Sequence, residues 1–356
     1  MSGHAARKAD HLDLCATDAV AFQGKSTLLE QVQLVHDALP ELAVADVDLT
    51  THFAGKSLRA PLFIAAMTGG FDRAEQVNRE LASVAQELGI GFGFGSMRPL
   101  LEEDTTLGYL VRDVAPDALL LGNIGIVQAA RSSVGQLQDL VGRTGVDALA
   151  VHLNPAMEVI QPGGDDDFRD GYATISRLLE GLDVPIVVKE TGCGLSRTVG
   201  KRLVDLGVRW VDVSGAGGTS WVGVETLRAK ARTRALGELY WDWGIPTAAS
   251  VAQLAGLGLG IVATGGVQHG LDVSRAVALG ATCGGMARPF LKAWNEGGRE
   301  GALEAGRSVI EEIRLAHLLT GSRTPDDLRE RPLVVGPTLD RWVPADSTLR
   351  SRYLGA

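Results

Sequence analysis

The chain has 356 residues, of which 45% are hydrophobic and 22% charged, and 34 Lys and Arg against 43 Asp and Glu give a formal net charge of −9. These values are typical of a folded globular protein and exclude disordered and fibrous classes. Because the balance is acidic and no basic stretch is clustered, the sequence gives no electrostatic support for a nucleic-acid-binding surface.

The cysteine pattern and the lengths of the apolar runs bear on location. Cys15, Cys193 and Cys283 are widely spaced and odd in number, which fits neither a disulfide framework nor a CxxC metal pair. The first residues lack the apolar core of a signal peptide, and no apolar run reaches the ~18 residues of a membrane-spanning helix. We therefore expect a cytoplasmic protein with reduced thiols and no membrane span.

Residues 1–59 form an N-terminal extension that precedes a repeated pattern. Within it, TLLEQVQLVHDAL (27–39) has helix-like periodicity. We expect the extension to form a cap or a strand against the bottom of the domain that follows.

From residue 60 onwards, short apolar runs that end in Gly, Ser or Asn alternate with helical patterns. Both faces of each run are mostly apolar, as in parallel strands covered by helices. The helical patterns, such as 74–89, 172–182 and 197–207, have 3.6-residue periodicity and end at or near glycine. The eight apolar runs are 60–70, 90–98, 118–125, 148–154, 185–192, 210–218, 261–266 and 282–289.

Eight β/α units predict an α/β protein with a (β/α)8 TIM barrel over residues 60–295. A doubly wound sheet is the alternative, since sequence alone does not prove closure. Residues 296–356 are expected to form C-terminal helices, with the clearest pattern over 301–321, and then a polar tail. No low-complexity linker divides the chain, so one structural domain is predicted.

The seventh and eighth runs lead into glycine-rich segments, ATGGVQHG (263–270) and GMARP (285–289). Backbone N–H groups after these two strands of a barrel commonly bind phosphate, and Arg288 adds a positive charge. Ordinary turn formation is the alternative for any single glycine. Together the two segments predict a phosphate-binding site.

Polar residues at several strand ends surround the same predicted barrel mouth and would suit a planar cofactor with polar edges. Lys189 is the clearest single signal, since a lysine at the end of a buried strand needs an anionic partner. An ion pair with Glu190 or Asp212 is one alternative, and a Schiff-base role is another. The polar set is Thr68, Asn123, Lys189, Ser214, Thr219 and Ser220.

The segment VHLNPAMEVIQPGGDDDF (151–168) concentrates oxygen-bearing side chains after the fourth run. Carboxylates and amides suit Mg²⁺, which often binds through one carboxylate plus substrate phosphates, and Glu158 is the better metal candidate. Asp165, Asp166 and Asp167 are instead expected to form a solvated turn. The remaining polar side chains here are His152, Asn154 and Gln161.

Four potential cations would suit a diphosphate. Arg7, Lys8 and His11 lie near the N-terminus, and Arg98 follows the second run. On their own, the three N-terminal residues are more typical of a solvated tail.

Ten sequence blocks, taken in order, resemble the type 2, FMN-dependent isopentenyl diphosphate isomerases over nearly the whole chain. A single block such as MTGG is weakly specific, whereas the joint order is highly specific. The blocks are RKADH (7–11), MTGG (67–70), GSMR (95–98), NIG (123–125), HLNP with Glu158, VKETGCGLS (188–196), SGAGGTSW (214–221), DWGIPT (242–247), ATGGV (263–267) and GMARP (285–289).

The resemblance implies an FMN-bound homo-oligomeric barrel, a homotetramer or homo-octamer, that converts isopentenyl to dimethylallyl diphosphate in isoprene biosynthesis. It also implies a requirement for Mg²⁺ and for reduced FMN, obtained at the expense of NAD(P)H, without net redox change. The flavin would then act as acid and base.

Residue by residue, the resemblance implies two sets of contacts and places Lys189 and His152 in the catalytic site, with Glu158 on Mg²⁺. Because some of the implied diphosphate contacts lie in residues 1–59, the resemblance also implies that the N-terminal extension takes part in substrate binding. The implied flavin contacts are Thr68, Ser96, Asn123, Lys189, Ser214, Thr219, Gly265, Gly266, Ala287 and Arg288. The implied diphosphate contacts are Arg7, Lys8, His11, Arg98, His152 and Asn154.

One catalytic position departs from the family pattern His-x-Asn-x-x-Gln-Glu, because Met157 stands where the glutamine is expected. The resemblance implies that this glutamine assists proton transfer beside the substrate alkene, whereas a thioether neither donates nor relays a proton. Met157 instead offers a soft, polarisable contact to an apolar chain or a cation.

Two enzymatic hypotheses follow from this departure. In the first, isomerisation persists because reduced flavin supplies the essential proton chemistry. In the second, the pocket has diverged toward cyclisation or rearrangement of a longer prenyl diphosphate. A third hypothesis, a flavin-binding sensor or scaffold, is disfavoured because the diphosphate and metal positions are retained.

Overall fold

Eight parallel strands close into a barrel in the computed structural model, which describes residues 14, 17–70 and 72–354. Each strand pairs with the next in chain order, and the eighth pairs with the first at Gly284↔Leu62. The barrel strands are β1 (Leu62–Ile64), β2 (Gly91–Gly93), β3 (Leu119–Gly125), β4 (Ala148–Leu153), β5 (Ile186–Glu190), β6 (Trp210–Asp212), β7 (Gly260–Ala263) and β8 (Cys283–Met286).

Each of the eight predicted runs overlaps one of these strands, so the predicted (β/α)8 barrel is confirmed and the doubly wound alternative is wrong. The strands are apolar on both sides because one side fills the barrel and the other contacts the helices. In β3, for example, all seven residues are buried.

Helices cover the barrel and extend beyond it. Their ends follow local rules, as in α4, where Ser133 and Gln136 form a capping box and Gly145 ends the helix with φ 63°. The helices are α1 (Asp72–Leu88), α2 (Arg98–Glu103), α3 (Ile126–Arg131), α4 (Val134–Thr144), α5 (Pro155–Glu158), α6 (Gly171–Gly181), α7 (Arg197–Asp205), α8 (Trp221–Arg228), α9 (Ala231–Leu239), α10 (Thr247–Leu254), α11 (Gly270–Ala278), α12 (Arg288–Leu319), α13 (Pro325–Glu330) and α14 (Pro337–Asp340).

The long helix α12 is kinked at Gly297 and Gly298, whose backbone angles are not helical. Within the described part of the chain, none of the helices combines the length and apolar character needed to cross a membrane.

A hairpin of the N-terminal extension, Thr51–Phe53 and Lys56–Leu58, lies at the bottom of the barrel. Phe53 is fully buried, and its ring lies 5.4 Å from the ring of Phe63 and 4.7 Å from that of Trp210, the first residue of β6. The hairpin thus lies where the extension was expected, and its aromatic contacts close the end of the barrel opposite the strand carboxyl ends. Residues 20–22 of the extension instead contact the loop after β6, at the other end of the barrel.

The helix-like segment 27–39 is not an α-helix. It forms a 3₁₀ turn, Leu29–Gln31, followed by a strand, Val32–Leu34, that pairs antiparallel with Leu333–Val335. Leu28 has φ 59°, a left-handed conformation that breaks the helix. Pairing with a distant segment thus overrides the local periodicity.

The C-terminal segment is not simply a polar tail either. It supplies the strand Leu333–Val335 and two short helices, and its apolar side chains are buried in the core. These are Leu328, Leu333, Leu339, Val343 and Leu349.

Candidate active site

Two pockets open at the carboxyl ends of the barrel strands and meet at a common wall. The β6–β8 pocket is lined by residues that follow β6, β7 and β8. The β2–β5 pocket is lined by residues that follow β2 to β5. Both are lined by Ala66, Met67, Lys189 and Trp221, so a ligand in either pocket would contact the same lysine.

The β6–β8 pocket contains the glycine-rich segments that the sequence predicted to bind phosphate. Gly265 and Gly266 have φ of 98° and 80°, and a Cβ on Gly265 would overlap the carbonyl oxygen of Gly215. Only glycine is therefore tolerated in this turn. The predicted residues lining this pocket are Lys189, Ser214, Thr219, Gly265, Gly266, Ala287 and Arg288.

Helix α12 begins at Arg288, on the wall of the β6–β8 pocket. The unpaired N–H groups of a helix N-terminus and a guanidinium both attract an anion. Arg288 forms an ion pair with Asp18, a side chain that is 90% exposed. Because that partner is solvated, the arginine can be shared with a bound phosphate.

The β2–β5 pocket brings together the other predicted site residues of the described chain except Ser220. That serine lines neither pocket, and it caps α8 and donates to the Trp241 backbone oxygen at 2.6 Å. Those predicted to contact flavin are Thr68, Ser96, Asn123 and Lys189, and those predicted for substrate, metal or catalysis are Arg98, His152, Asn154, Met157 and Glu158. The predicted N-terminal cations Arg7, Lys8 and His11 lie outside the described residues.

Glu158 is a buried carboxylate held by amide donors. Its Oε1 accepts a hydrogen bond from Asn154 Nδ2 at 2.7 Å, and its Oε2 accepts from the Asp165 backbone N–H at 2.9 Å and from Gln161 Nε2 at 3.2 Å. These donors fix the carboxylate at the pocket wall. Within the described ranges, no group of three or more His, Cys, Asp or Glu side chains is arranged to hold a metal ion.

Two hydroxyl groups in the same pocket are buried without a hydrogen-bond partner among the described residues. They are Thr68 Oγ1 and Thr191 Oγ1. Since buried polar atoms in native proteins are nearly always hydrogen-bonded, these two hydroxyls fit a pocket whose ligand supplies the partners.

Lys189 has the anionic partner that its buried position requires. Its Nζ lies 3.7 Å from Asp212 Oδ2 and donates to the backbone oxygen of Glu190 at 2.5 Å. Of the two ion pairs considered for Lys189, the structure contains the one with Asp212. The Glu190 carboxylate instead accepts the backbone N–H groups of Thr191 and Cys193.

The aspartate run 165–167 differs from the expected solvated turn at its first residue. The Asp165 carboxylate is largely covered, accepts from Gln128 Nε2 at 2.8 Å and pairs with Arg131 at 2.9 Å. Asp166 and Asp167 are exposed, as expected.

Several residues that line the β2–β5 pocket had no predicted site role, among them Gln128, Thr191 and Trp221. Gln128 lies on α3, where no local pattern distinguishes it from a surface glutamine. Thr191 lies within the block VKETGCGLS and Trp221 ends the block SGAGGTSW, so their places in these blocks were the available signal.

Glu190 lies beside the site at the end of β5 and is buried. Burial raises the pKa of its carboxyl from 4.5 to about 7. The backbone N–H donors and the charge of Lys189 act in the opposite direction and lower this pKa. The folded protein therefore binds this proton more tightly than the unfolded chain does, so the contribution of Glu190 to stability is present at low pH and lost as the pH rises through about 7.

We expect Glu190→Gln to remove this pH dependence. Between pH 5.5 and 8.5, the wild type should lose on the order of 2 kcal/mol more unfolding free energy than the variant. Urea denaturation at the two pH values measures the difference. Glu180→Gln, at an exposed position, is the control and should follow the wild type. Equal pH dependence in wild type and Glu190→Gln would contradict the raised pKa.

A family model for FMN-dependent dehydrogenases matches residues 163–335. Solved structures of mandelate oxidase are similar in fold: the complex with (S)-2-phenylpropionate has a TM-score of 0.64 at 18% identity, covering 93% of this chain and 98% of the oxidase chain. At this identity the likeness shows the barrel fold alone.

Sequence relatives are much more similar. The isopentenyl-diphosphate delta-isomerase of Methanothermobacter thermautotrophicus is 42% identical over 340 residues, covering 95% of each chain. The enzyme of the same name from a Synechococcus species is 44% identical, covering 93% of this chain and 96% of the relative. That from Halobacterium salinarum is 43% identical, covering 91% of each. This chain therefore belongs to the isopentenyl-diphosphate delta-isomerase family.

Proposed function

We propose that the protein converts isopentenyl diphosphate to dimethylallyl diphosphate, using reduced FMN and Mg²⁺. The observation that carries this proposal is the pair of pockets joined at Lys189, in a chain 42–44% identical to relatives of that name. One pocket has the features of a phosphate-bearing cofactor site. The other contains a carboxylate, amides and cations suited to a diphosphate.

The residues of the β6–β8 pocket fit FMN. Its glycine turn and the N-terminus of α12 would hold the cofactor phosphate, with Arg288 adding charge. Lys189 would contact the part of the cofactor that becomes negative on reduction. The orphaned hydroxyl of Thr68, across the shared wall, offers a further contact.

The residues of the β2–β5 pocket fit a diphosphate with one Mg²⁺. Arg98 and His152 supply positive or hydrogen-bonding groups, and Asn154 is held against Glu158. A single carboxylate is the number that Mg²⁺ takes from the protein when phosphates and water complete its octahedron. Glu158 would therefore be the residue that holds the metal ion beside the substrate diphosphate.

Reduced FMN, when bound, would supply the acid and base chemistry for adding one proton to the substrate alkene and removing another, with no net redox change. NAD(P)H would be the source of the reducing equivalents. The side chains of the protein orient the substrate for these transfers. His152 Nδ1 is hydrogen-bonded to Asn123 Oδ1 at 2.8 Å, which fixes the imidazole ring in the pocket, and Lys189 stabilises negative charge at the shared wall.

A second candidate function is cyclisation or rearrangement of a longer prenyl diphosphate. The observation that favours it is the apolar part of the β2–β5 pocket, formed by Ala66, Met67, Met157 and Trp221. Aromatic and thioether groups stabilise a cation without accepting its proton. Met157 would then protect a carbocation rather than slow an isomerisation.

We expect Lys189→Ala to weaken FMN binding about 10–100-fold, the effect of losing one charge-assisted hydrogen bond of ~1.5–3 kcal/mol, and to abolish turnover. Fluorescence quenching measures FMN affinity, and anaerobic assays with Mg²⁺ and reduced FMN measure interconversion of the two five-carbon diphosphates. Lys292→Ala, an exposed lysine on α12, is the control. Failure of the wild type to bind FMN would refute the proposal.

Losing a side chain that supports a metal ligand typically lowers metal affinity ~10–100-fold, and Glu158 would be a ligand itself. Glu158→Gln should therefore weaken the apparent affinity for Mg²⁺ by at least this factor, with a parallel loss of activity. Titration of activity with Mg²⁺ after chelation measures the effect. Asp166→Asn removes an exposed carboxylate nearby and should leave the titration unchanged. If Glu158→Gln behaves like Asp166→Asn, the metal binds elsewhere.

Met157→Gln should raise the rate of five-carbon isomerisation by up to ~10²-fold, because general acid–base assistance is typically worth ~10²–10⁴-fold. Product analysis with five-, ten-, fifteen- and twenty-carbon diphosphates and anaerobically reduced FMN measures both activities. Met67→Gln places the same amide elsewhere in the pocket and should not raise the rate.

The same experiment separates the two candidate functions. A wild type that is inert toward five-carbon substrates but consumes a longer one, and is impaired by Met157→Gln, would support the second candidate. Rapid five-carbon turnover that Met157→Gln does not improve would show that the methionine has no bearing on the reaction.

A further inference from the structure

The carboxylate of Asp212 lies next to Lys189, yet it has no part in the reaction proposed above. Asp212 ends β6 and is 7% exposed. The parallel register sets it directly beside Lys189 of β5, and its Oδ2 lies 3.7 Å from Lys189 Nζ. The lysine that both pockets share is therefore accompanied by a buried negative charge.

The second oxygen of this carboxylate is fixed from two directions. Asp212 Oδ1 accepts from Thr264 Oγ1, beyond β7, at 2.5 Å and from the backbone N–H of Ser214 at 3.1 Å. Ser214 has φ 36°, a left-handed conformation that a non-glycine residue adopts only when its surroundings hold it there. Asp212 thus connects three residues that line the β6–β8 pocket: Lys189, Ser214 and Thr264.

The surroundings strengthen the interaction between the Asp212 carboxylate and Lys189. Lys189, Asp212 and Thr264 also line a small cavity inside the barrel whose other walls are mostly apolar, among them Phe63, Val187 and Val262. Charges that face a cavity of low polarity interact more strongly than charges in water. A carboxylate at this distance therefore reduces the positive potential that Lys189 presents to a ligand.

We propose that Asp212 is a positioning residue that fixes Lys189 and lowers the positive potential that this lysine presents to FMN. Asp212 thereby sets how much more tightly the pocket binds reduced FMN than oxidised FMN. The inference rests on the proposed function, because it requires FMN to bind beside Lys189. A carboxylate with only a structural role would affect the binding of both oxidation states equally.

The test is the midpoint potential of bound FMN in Asp212→Asn. Dithionite supplies two electrons and solvent one proton to each bound FMN, and a reference dye reports the potential. With the carboxylate neutralised, the ratio of reduced to oxidised FMN affinity should rise about tenfold, which is about 30 mV for a two-electron couple. Asp205→Asn, an exposed position on α7, makes the same charge change far from the pocket and should leave the ratio unchanged.

Thr264→Val provides a second measurement if Asp212→Asn does not fold. It removes the hydroxyl donor but keeps the carboxylate, which should then pair more closely with Lys189 and lower the ratio about threefold. An unchanged ratio in Asp212→Asn, or an unchanged or raised ratio in Thr264→Val, overturns the inference while leaving the proposed function intact. A wild type that does not bind FMN overturns both.

Discussion

The parallel register of three barrel strands is the constraint on which the site depends. His152 of β4 pairs with Lys189 of β5, and Lys189 pairs with Asp212 of β6, so the three side chains lie at one level around the ring. Two pockets share this level, with the lysine on their common wall. A register shift of one residue would turn each side chain to the other face of its strand and dismantle both pockets.

The barrel was predictable because the strands are mostly apolar on both faces and several helices carry clear start or stop signals, such as the capping box and final glycine of α4. The segment 27–39 was not, because its strand Val32–Leu34 pairs with Leu333–Val335, some 300 residues away in the chain. Sequence periodicity reports local burial and contains no information on such a partner. The C-terminal segment was mistaken for a polar tail for the same reason, since its leucines are widely separated in sequence and meet the core only after folding.

Much of the candidate site was predictable because functional groups of barrels follow the strand carboxyl ends. What the sequence did not reveal were relationships between strands: the link from Gln128 to Asp165, and the fixing of Asp212 by Thr264. From the sequence, Asp212 was recognisable only as a possible partner of Lys189, because nothing local distinguishes a counter-ion from an ordinary strand-end aspartate. The expected solvated position of Asp165 was likewise wrong, because the arginine that pairs with it, Arg131, lies on α3 and is distant in sequence.

Met157 stands in a pocket where three amide side chains are hydrogen-bonded to carboxylates. Gln161 and Asn154 donate to Glu158, and Gln128 donates to Asp165, so each of these amide groups is held in place by a carboxylate. If the proton transfers belong to the bound flavin, the protein contributes orientation and electrostatic stabilisation, and loss of one relay alters the rate without removing the reaction. If instead the substrate carries a longer chain, the same methionine extends the apolar wall formed with Trp221 and Met67. Both outcomes use the same residues proposed to hold the metal and the phosphates, so the side chain at position 157, and not the fold, distinguishes them.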